Sequence, residues 1–181
     1  MKLTTPQIIK TITGDPLYTN IRFGKHGRPH AERVLLFANI LASMIQSDKN
    51  IVLDMQALTI AALLHDCKKV EESSASDPNH GINSAKAAYK MLDKLAIECD
   101  KEMVYDIIIR HCPPKGHKFD SPPSFEAMAV GDADKLDRFR FHSLGGPDPK
   151  FFELKDYSVS LMDISARVNG HSWRSFKQRK R

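Results

Sequence analysis

One segment constrains the fold most: residues 61–66 read AALLHD, an apolar run that ends in two adjacent ionisable side chains, His65 and Asp66. Such a run predicts a helix buried on most of its faces, so both side chains should lie against the protein interior. A buried carboxylate needs a compensating partner, and a divalent cation binds neutral imidazole and carboxylate alike. The segment therefore indicates a metal site, although an isolated His-Asp pair is more often a structural or surface feature.

Three more histidines stand where helices would bring them towards the same interior. His30 lies in the first turn of a pattern with helical spacing, and His80 begins a second one. His111 follows Ile107 and Ile108 by four and three residues, which places it on their buried face. The apolar residues that define the first two patterns are Val34, Phe37, Ala38, Leu41 and Ile45, and then Ala85, Ala88, Leu92 and Leu95.

Carboxylates set among apolar residues recur further along the chain, in the segment AVGDADKLDR of residues 129–138. Of Asp132, Asp134 and Asp137, only one needs to face inward to complete a site. We expect Asp132 to face solvent. For Asp137 and Arg138 we expect a structural ion pair, with contact to a substrate as the alternative.

The order His30, His65-Asp66, Asp134 resembles the signature of the HD phosphohydrolase superfamily, and the resemblance covers roughly residues 25–140. Lys69 follows the His-Asp pair as in the family's frequent HD-x-x-K form, and Ala-Asp-Lys-Leu around Asp134 matches its Ala-Asp-x-Leu context. The resemblance implies an all-α, single-domain helical bundle of the HD-domain type. It also implies metal-dependent hydrolysis of a phosphate ester of a nucleotide or related small molecule, by attack of a metal-bound hydroxide.

The resemblance further implies a set of site residues. Asp66 and Lys69 are the expected catalytic residues, with Lys69, Arg33 and Arg138 as expected contacts to the substrate phosphate. One divalent ion, or two ions that share Asp66, would be held by nitrogen and oxygen ligands, which suit Fe, Mn, Ni, Co, Zn or Mg. The expected metal ligands are His30, His65, Asp66 and Asp134 at one ion, and Asp66, His80 and His111 at the other.

Two features of particular HD branches are absent from this chain. The chain has no Gly-Tyr-Pro motif, so it does not resemble the branch that degrades cyclic di-GMP. It also lacks the long nucleotide-pocket insertions of deoxynucleotide triphosphohydrolases.

Length and composition fit a small globular enzyme. The 181 residues predict one domain over 1–181, with a core of about 25–140 and a C-terminal helix and tail of about 150–181. No apolar run approaches the roughly 20 residues that span a bilayer, and the first twelve residues lack a secretory signal, so we expect no membrane partner and a cytoplasmic location. Three cysteines, an odd number without a C-x-x-C pair, argue against disulfides and a zinc knuckle; Cys67 or Cys112 as a thiolate ligand or nucleophile is the less favoured alternative.

The net charge of +5 comes from the last eight residues, which hold five basic side chains and no acid. With Trp173 and Phe176 interleaved, this tail could bind nucleic-acid phosphates and stack a base, although a solvated terminus is the favoured interpretation. Two alternatives to the hydrolase therefore stay open: a nucleic-acid-binding or regulatory HD module, and a di-iron oxygenase-like HD protein. The substrate and the oligomeric state are not defined by the sequence.

The predicted helices follow from these patterns. We expect Asp54 to cap the helix that ends in His65 and Asp66, because its side chain can accept from free backbone amides. Four prolines and a glycine between Cys112 and Ser124 predict a loop beside the site. The predicted helices are about 5–12, 30–46, 54–66, 80–96, 98–112, one that begins near 124 and carries Asp134, and about 153–168.

Overall fold

The computed structural model describes residues 3–19, 27–69, 79–114, 116–141 and 146–170. Within these ranges all regular structure is helical and no strand occurs, which confirms the all-α prediction. The helices are α1 Thr5–Gly14, α2 Pro16–Thr19, α3 Arg28–Lys49, α4 Met55–Leu64, α5 His80–Lys94, α6 Lys101–His111, α7 Phe125–Leu136, α8 Lys155–Ser160 and α9 Met162–Val168, with 3-10 helices at Asp137–Arg140 and Pro149–Phe151.

Helix α4 lies at the centre of the bundle and is buried along residues 57–64. It packs against α3, α6 and α7, while α5 packs mainly on α6. The Asp54 side chain accepts hydrogen bonds from the backbone N–H groups of Gln56 and Ala57, both at 2.9 Å, so the predicted cap is confirmed. The central position of α4 carries its C-terminal end, with His65 and Asp66, into the interior.

Some predicted helix bounds were wrong. Helix α6 begins at Lys101 rather than near residue 98, because Asp100 caps it by accepting from Met103 N–H at 2.9 Å. The C-terminal helix is two short helices, α8 and α9, that meet at Leu161. Each is tied to α7 separately, since the Ser158 hydroxyl donates to Asp132 and the Ser165 hydroxyl donates to the Leu136 carbonyl.

Asp132 is fully buried, so the expectation that it faces solvent was wrong. Its carboxylate accepts from the backbone N–H groups of Glu153 and Leu154 at 3.0 and 2.8 Å, and from the Ser158 hydroxyl at 2.8 Å. Lys135 Nζ also forms an ion pair with Asp132 Oδ1 at 3.0 Å. The acid is buried because it satisfies the donors of the returning C-terminal segment, which a local sequence pattern does not show.

In the part of the chain that the structure describes, no helix has both the length and the apolar character needed to cross a bilayer. The basic tail at residues 171–181 lies outside the described residues, and nucleic-acid binding by it stays a prediction. The assignment of 1–181 to one domain likewise stays a prediction.

Candidate metal centre

The six expected metal ligands meet at one place, although they come from five helices. Helix ends supply most of them, and these ends are brought together by the packing around α4. His65 and Asp66 follow the last residue of α4, and Asp134 lies in the last turn of α7. The others are His30 in the first turn of α3, His80 at the start of α5 and His111 at the end of α6.

The first group of ligand atoms surrounds His30 Nε2. This nitrogen lies 3.0 Å from His65 Nε2, 3.6 Å from Asp66 Oδ2 and 3.3 Å from Asp134 Oδ1. His65 Nε2 in turn lies 3.7 and 3.9 Å from the same two carboxylate oxygens. Ligand bonds of about 2.0 to 2.2 Å place neighbouring donors roughly 3 to 3.5 Å apart, so this donor set fits a metal ion.

The second group uses the other oxygen of the same carboxylate. Asp66 Oδ1 lies 3.4 Å from His80 Nε2 and 3.3 Å from His111 Nε2. The Asp66 side chain is only 5 % exposed, and both histidine side chains are equally well buried. The two oxygens of Asp66 therefore face two different groups of nitrogen donors, each of which is able to hold an ion.

Atoms outside the two groups orient the imidazole rings. In three of the histidines Nδ1 lies against an oxygen that can only accept, so Nδ1 carries a proton and Nε2 faces the centre. These oxygens are the Asp137 carboxylate at 2.7 Å for His30, the Ala62 carbonyl at 2.9 Å for His65 and the Ile108 carbonyl for His111.

The electrostatics of the first group favour positive charge. Burial opposes the charged form of His30, but hydrogen bonds with Asp134 and Asp137 outweigh burial and raise the pKa of His30 to about 10. Burial lowers the pKa of His65 to about 3. Burial would raise the pKa of Asp134, yet the hydrogen bond and charge of His30 hold that pKa well below its usual range. A bound cation would meet the same demand for positive charge.

The role of Asp137 was not predicted from the sequence. The expected pair with Arg138 does not form, because Arg138 is exposed while the Asp137 carboxylate is fully buried. Asp137 accepts instead from His30, from Arg33 Nε and Nη2 at 2.7 and 3.1 Å, and from Asn169 Nδ2 at 3.1 Å. One signal could have revealed it: residue 137 is three positions after Asp134, a spacing that keeps two side chains on one helical face.

The cation expected at the active site lies at its edge. Lys69 Nζ is 3.4 Å from Asp66 Oδ2, and its side chain is one-quarter exposed. Arg33 has the same exposure and uses two of its five N–H groups on Asp137. Both side chains therefore lie between the buried ligands and solvent.

Cys67 does not meet the requirements of a thiolate nucleophile or metal ligand. Burial raises the pKa of the Cys67 thiol to about 12, and its sulfur donates to the Ser84 carbonyl at 3.7 Å. A thiol held protonated is a poor nucleophile and a poor ligand. Cys112 Sγ lies 3.7 Å from His80 Nδ1, where it contacts the far side of that ring from Asp66.

The chain matches a known protein family. A family model described as HD domain matches residues 29–138, which is more than half of the 181 residues. The matched span runs from the residue before His30 to beyond Asp134, so it includes all six ligands of the two groups. No curated protein and no solved structure matched the chain.

Proposed function

Because the chain belongs to the HD-domain family, whose members are generally metal-dependent phosphohydrolases, we propose that it cleaves a phosphate ester of a nucleotide or a related small molecule. The proposed cofactor is a divalent metal ion, one or two per chain. Residues of the two ligand groups would bind it, with His30, His65, Asp66 and Asp134 at the first ion and Asp66, His80 and His111 at the second.

The observation that carries the proposal is the position of the Asp66 carboxylate. One of its oxygens contacts the first group and the other contacts the second, at 3.3 to 3.7 Å from the histidine nitrogens. A carboxylate placed in this way is suited to bridge two ions. The donors are imidazole and carboxylate, which favour Fe, Mn, Ni, Co or Zn, whereas Mg prefers an oxygen-rich site.

The cofactor would supply what phosphate hydrolysis needs, because a bound metal neutralises phosphate charge and lowers the pKa of a coordinated water. Lys69 is proposed to hold a phosphate oxygen, since its ammonium lies next to the shared carboxylate and reaches solvent. Positive charge fixed there would stabilise the charge that develops during the reaction. Asp66 and Lys69 are therefore the proposed catalytic residues.

Two arginines are proposed as further substrate contacts. Arg33 is held in place by Asp137 and retains N–H groups beyond the two that it donates there. A guanidinium positioned by a carboxylate can still present its other edge to a phosphate. Arg138 is exposed on the 3-10 helix that follows α7, so a contact with it would involve a part of the substrate that extends outwards.

The test is a metal reconstitution series with a broad panel of phosphate esters. We expect chelated protein to be inactive and activity to return with a transition metal. Replacement Asp66→Ala should abolish turnover, since it removes the ligand common to both groups. Asp163→Ala is the matched control, because this half-exposed acid pairs with Arg167 away from the centre and should leave turnover unchanged.

Folding of the Asp66 variant is verified by circular dichroism, and Asp66→Asn serves as a second variant of nearly the same shape. Full activity of either Asp66 variant, or of chelated protein, would refute the proposal. Metal-dependent oxygen consumption without phosphate release would favour the oxygenase-like alternative instead.

A further inference from the structure

A cavity of about 850 Å³ lies between the start of α2 and one face of α5. Its lining does not include the six candidate metal ligands. Four lysines border it, and we refer to this cavity as the lysine groove. They are Lys68, Lys86, Lys90 and Lys94.

The groove carries an excess of positive charge along α5. Lys86, Lys90 and Lys94 are four residues apart on α5, so they line one helical face at a rise of about 6 Å each. Like charges at this spacing repel and weaken the helix. Lys94 pairs with the buried Asp15 at 2.9 Å. Among the described residues, Lys68, Lys86 and Lys90 form no ion pair. An anionic ligand would relieve this repulsion.

Apolar side chains also line the groove, and we call them its apolar floor. Pro16 and Leu17 contribute from the start of α2, and Ala87 and Met91 contribute from α5, between its lysines. A ligand that suits both the lysines and the apolar lining carries phosphate groups and an uncharged ring system. The volume lies in the range of pockets for small organic molecules, which is about 300 to 1,000 Å³.

The segment that carries Lys68 is also held in place, next to the candidate metal centre. The backbone N–H of Lys68 donates to the Ser84 hydroxyl at 3.1 Å, and the Cys67 thiol donates to the Ser84 carbonyl. These two bonds fix the segment after Asp66 against α5. The Lys68 backbone is therefore held against α5 before any ligand arrives, which lowers the ordering cost of binding.

We propose that the lysine groove binds a nucleotide polyphosphate at a second site, separate from the metal centre. The phosphates contact Lys68, Lys86 and Lys90, and the nucleoside packs on the apolar floor beside Met91. A small nucleotide is favoured over a nucleic acid strand because the charge is confined to one cavity with an apolar floor. The inference goes beyond the proposed hydrolase activity and does not depend on it.

The experiment measures binding of adenosine 5′-(β,γ-imido)triphosphate to full-length protein that has been stripped of metal and dialysed free of chelator. We expect the double variant Lys86→Glu/Lys90→Glu to weaken the affinity by about tenfold or more, with a loss of affinity as salt increases. Ala87→Leu should weaken it too, since the larger side chain fills the cavity without a change of charge. The matched control is Lys118→Glu/Lys155→Glu, which makes the same charge change at exposed positions outside the groove.

Several results would overturn the proposal. They are an absence of binding to the metal-free protein, an equal loss of affinity in the control double variant, and unchanged binding in Ala87→Leu. Inorganic tripolyphosphate that binds as tightly as the nucleotide would exclude recognition of the nucleoside. A single-stranded oligonucleotide that binds more tightly through the same lysines would make nucleic acid the ligand.

Metal-free Asp66→Ala should bind the nucleotide as the wild type does. This measurement tests the groove independently of the hydrolase proposal, because the variant is expected to lack turnover and retain nucleotide binding. Loss of nucleotide binding in a folded Asp66→Ala variant would place the nucleotide at the metal centre and contradict a second site.

Discussion

At the residue scale, Asp137 illustrates how a side chain outside the two ligand groups can orient one of their histidines. It contacts His30 Nδ1 at 2.7 Å and so orients the opposite nitrogen towards the first ligand group. Loss of such an outer partner typically lowers metal affinity about 10- to 100-fold. We expect Asp137→Asn to weaken metal binding by this amount in a competition titration against a chelator, and to lower Tm because Arg33 loses its counter-ion.

The control for this prediction is Asp132→Asn, which alters an equally buried carboxylate. Asp132 bonds to the C-terminal segment rather than to a histidine, so its replacement should lower Tm without a change in metal affinity. Equal metal affinity in Asp137→Asn and the wild type would show that His30 is oriented without Asp137.

A second prediction at the residue scale concerns alkaline pH. Burial, together with the nearby Glu32 carboxylate, raises the pKa of Tyr18 to about 12. In the unfolded chain the phenol ionises near pH 10, so its contribution to stability is unchanged below pH 10 and falls as pH rises from 10 to 12. We expect Tyr18→Phe to lose less stability than the wild type over this interval. Denaturant titrations at several pH values measure the difference, and parallel curves for the two proteins would contradict it.

At the scale of elements, the second ligand group depends on a close approach between α5 and α6. A Cβ atom placed on Gly81 would lie 2.4 Å from the Cys112 carbonyl oxygen, which is backbone and cannot move aside like a flexible side chain. Glycine at this position lets the start of α5, with His80, reach the end of α6, with His111. We expect Gly81→Ala to separate these helices and to weaken the second metal site more than the first.

The matched control is Gly131→Ala in α7, where the added Cβ would have its nearest neighbour at 3.7 Å, an ordinary contact. This change should preserve metal binding and stabilise the helix by up to about 1 kcal/mol. Metal stoichiometry and Tm are compared for both variants. A Gly81→Ala protein with wild-type values for each would show that α5 and α6 do not need this contact.

At the scale of the whole molecule, the proposed ions would join five helices that are distant in sequence. A ligand that binds only the folded state stabilises it by about 2.7 kcal/mol at one hundred times its Kd. For a chain of this size that corresponds to a rise in Tm of roughly 5 to 10 °C. We expect metal-free protein to show this rise in Tm on titration with Mn, measured by calorimetry. A constant Tm would argue against a bound ion that joins the helices.

The number of bound metal ions per chain separates one ion from two. His80→Ala/His111→Ala should lower the bound metal from about two to about one per chain, because ligand number determines occupancy while the first group is unchanged. Elemental analysis gives the count. Wild-type protein that retains one ion at saturation would leave His80 and His111 as substrate contacts or core histidines.

Sequence patterns alone predict the helical class, and together with the family resemblance they identify the six residues that lie together. Apolar periodicity identifies helices locally, and the buried end of α4 required a partner for His65 and Asp66. The order of motifs then associated the chain with the HD family, which the match over residues 29–138 confirms. These features are readable because each depends on residues that are close together in the chain or on a known motif.

The partners of Asp132 and Asp137 become visible only in the packed structure. Asp132 and Asp137 are both buried, yet one satisfies the C-terminal segment and the other orients His30, more than one hundred residues away. The lysine groove likewise depends on where the packing places α5. Such contacts are long-range, and a buried acid has the same local sequence pattern whichever distant donor it satisfies.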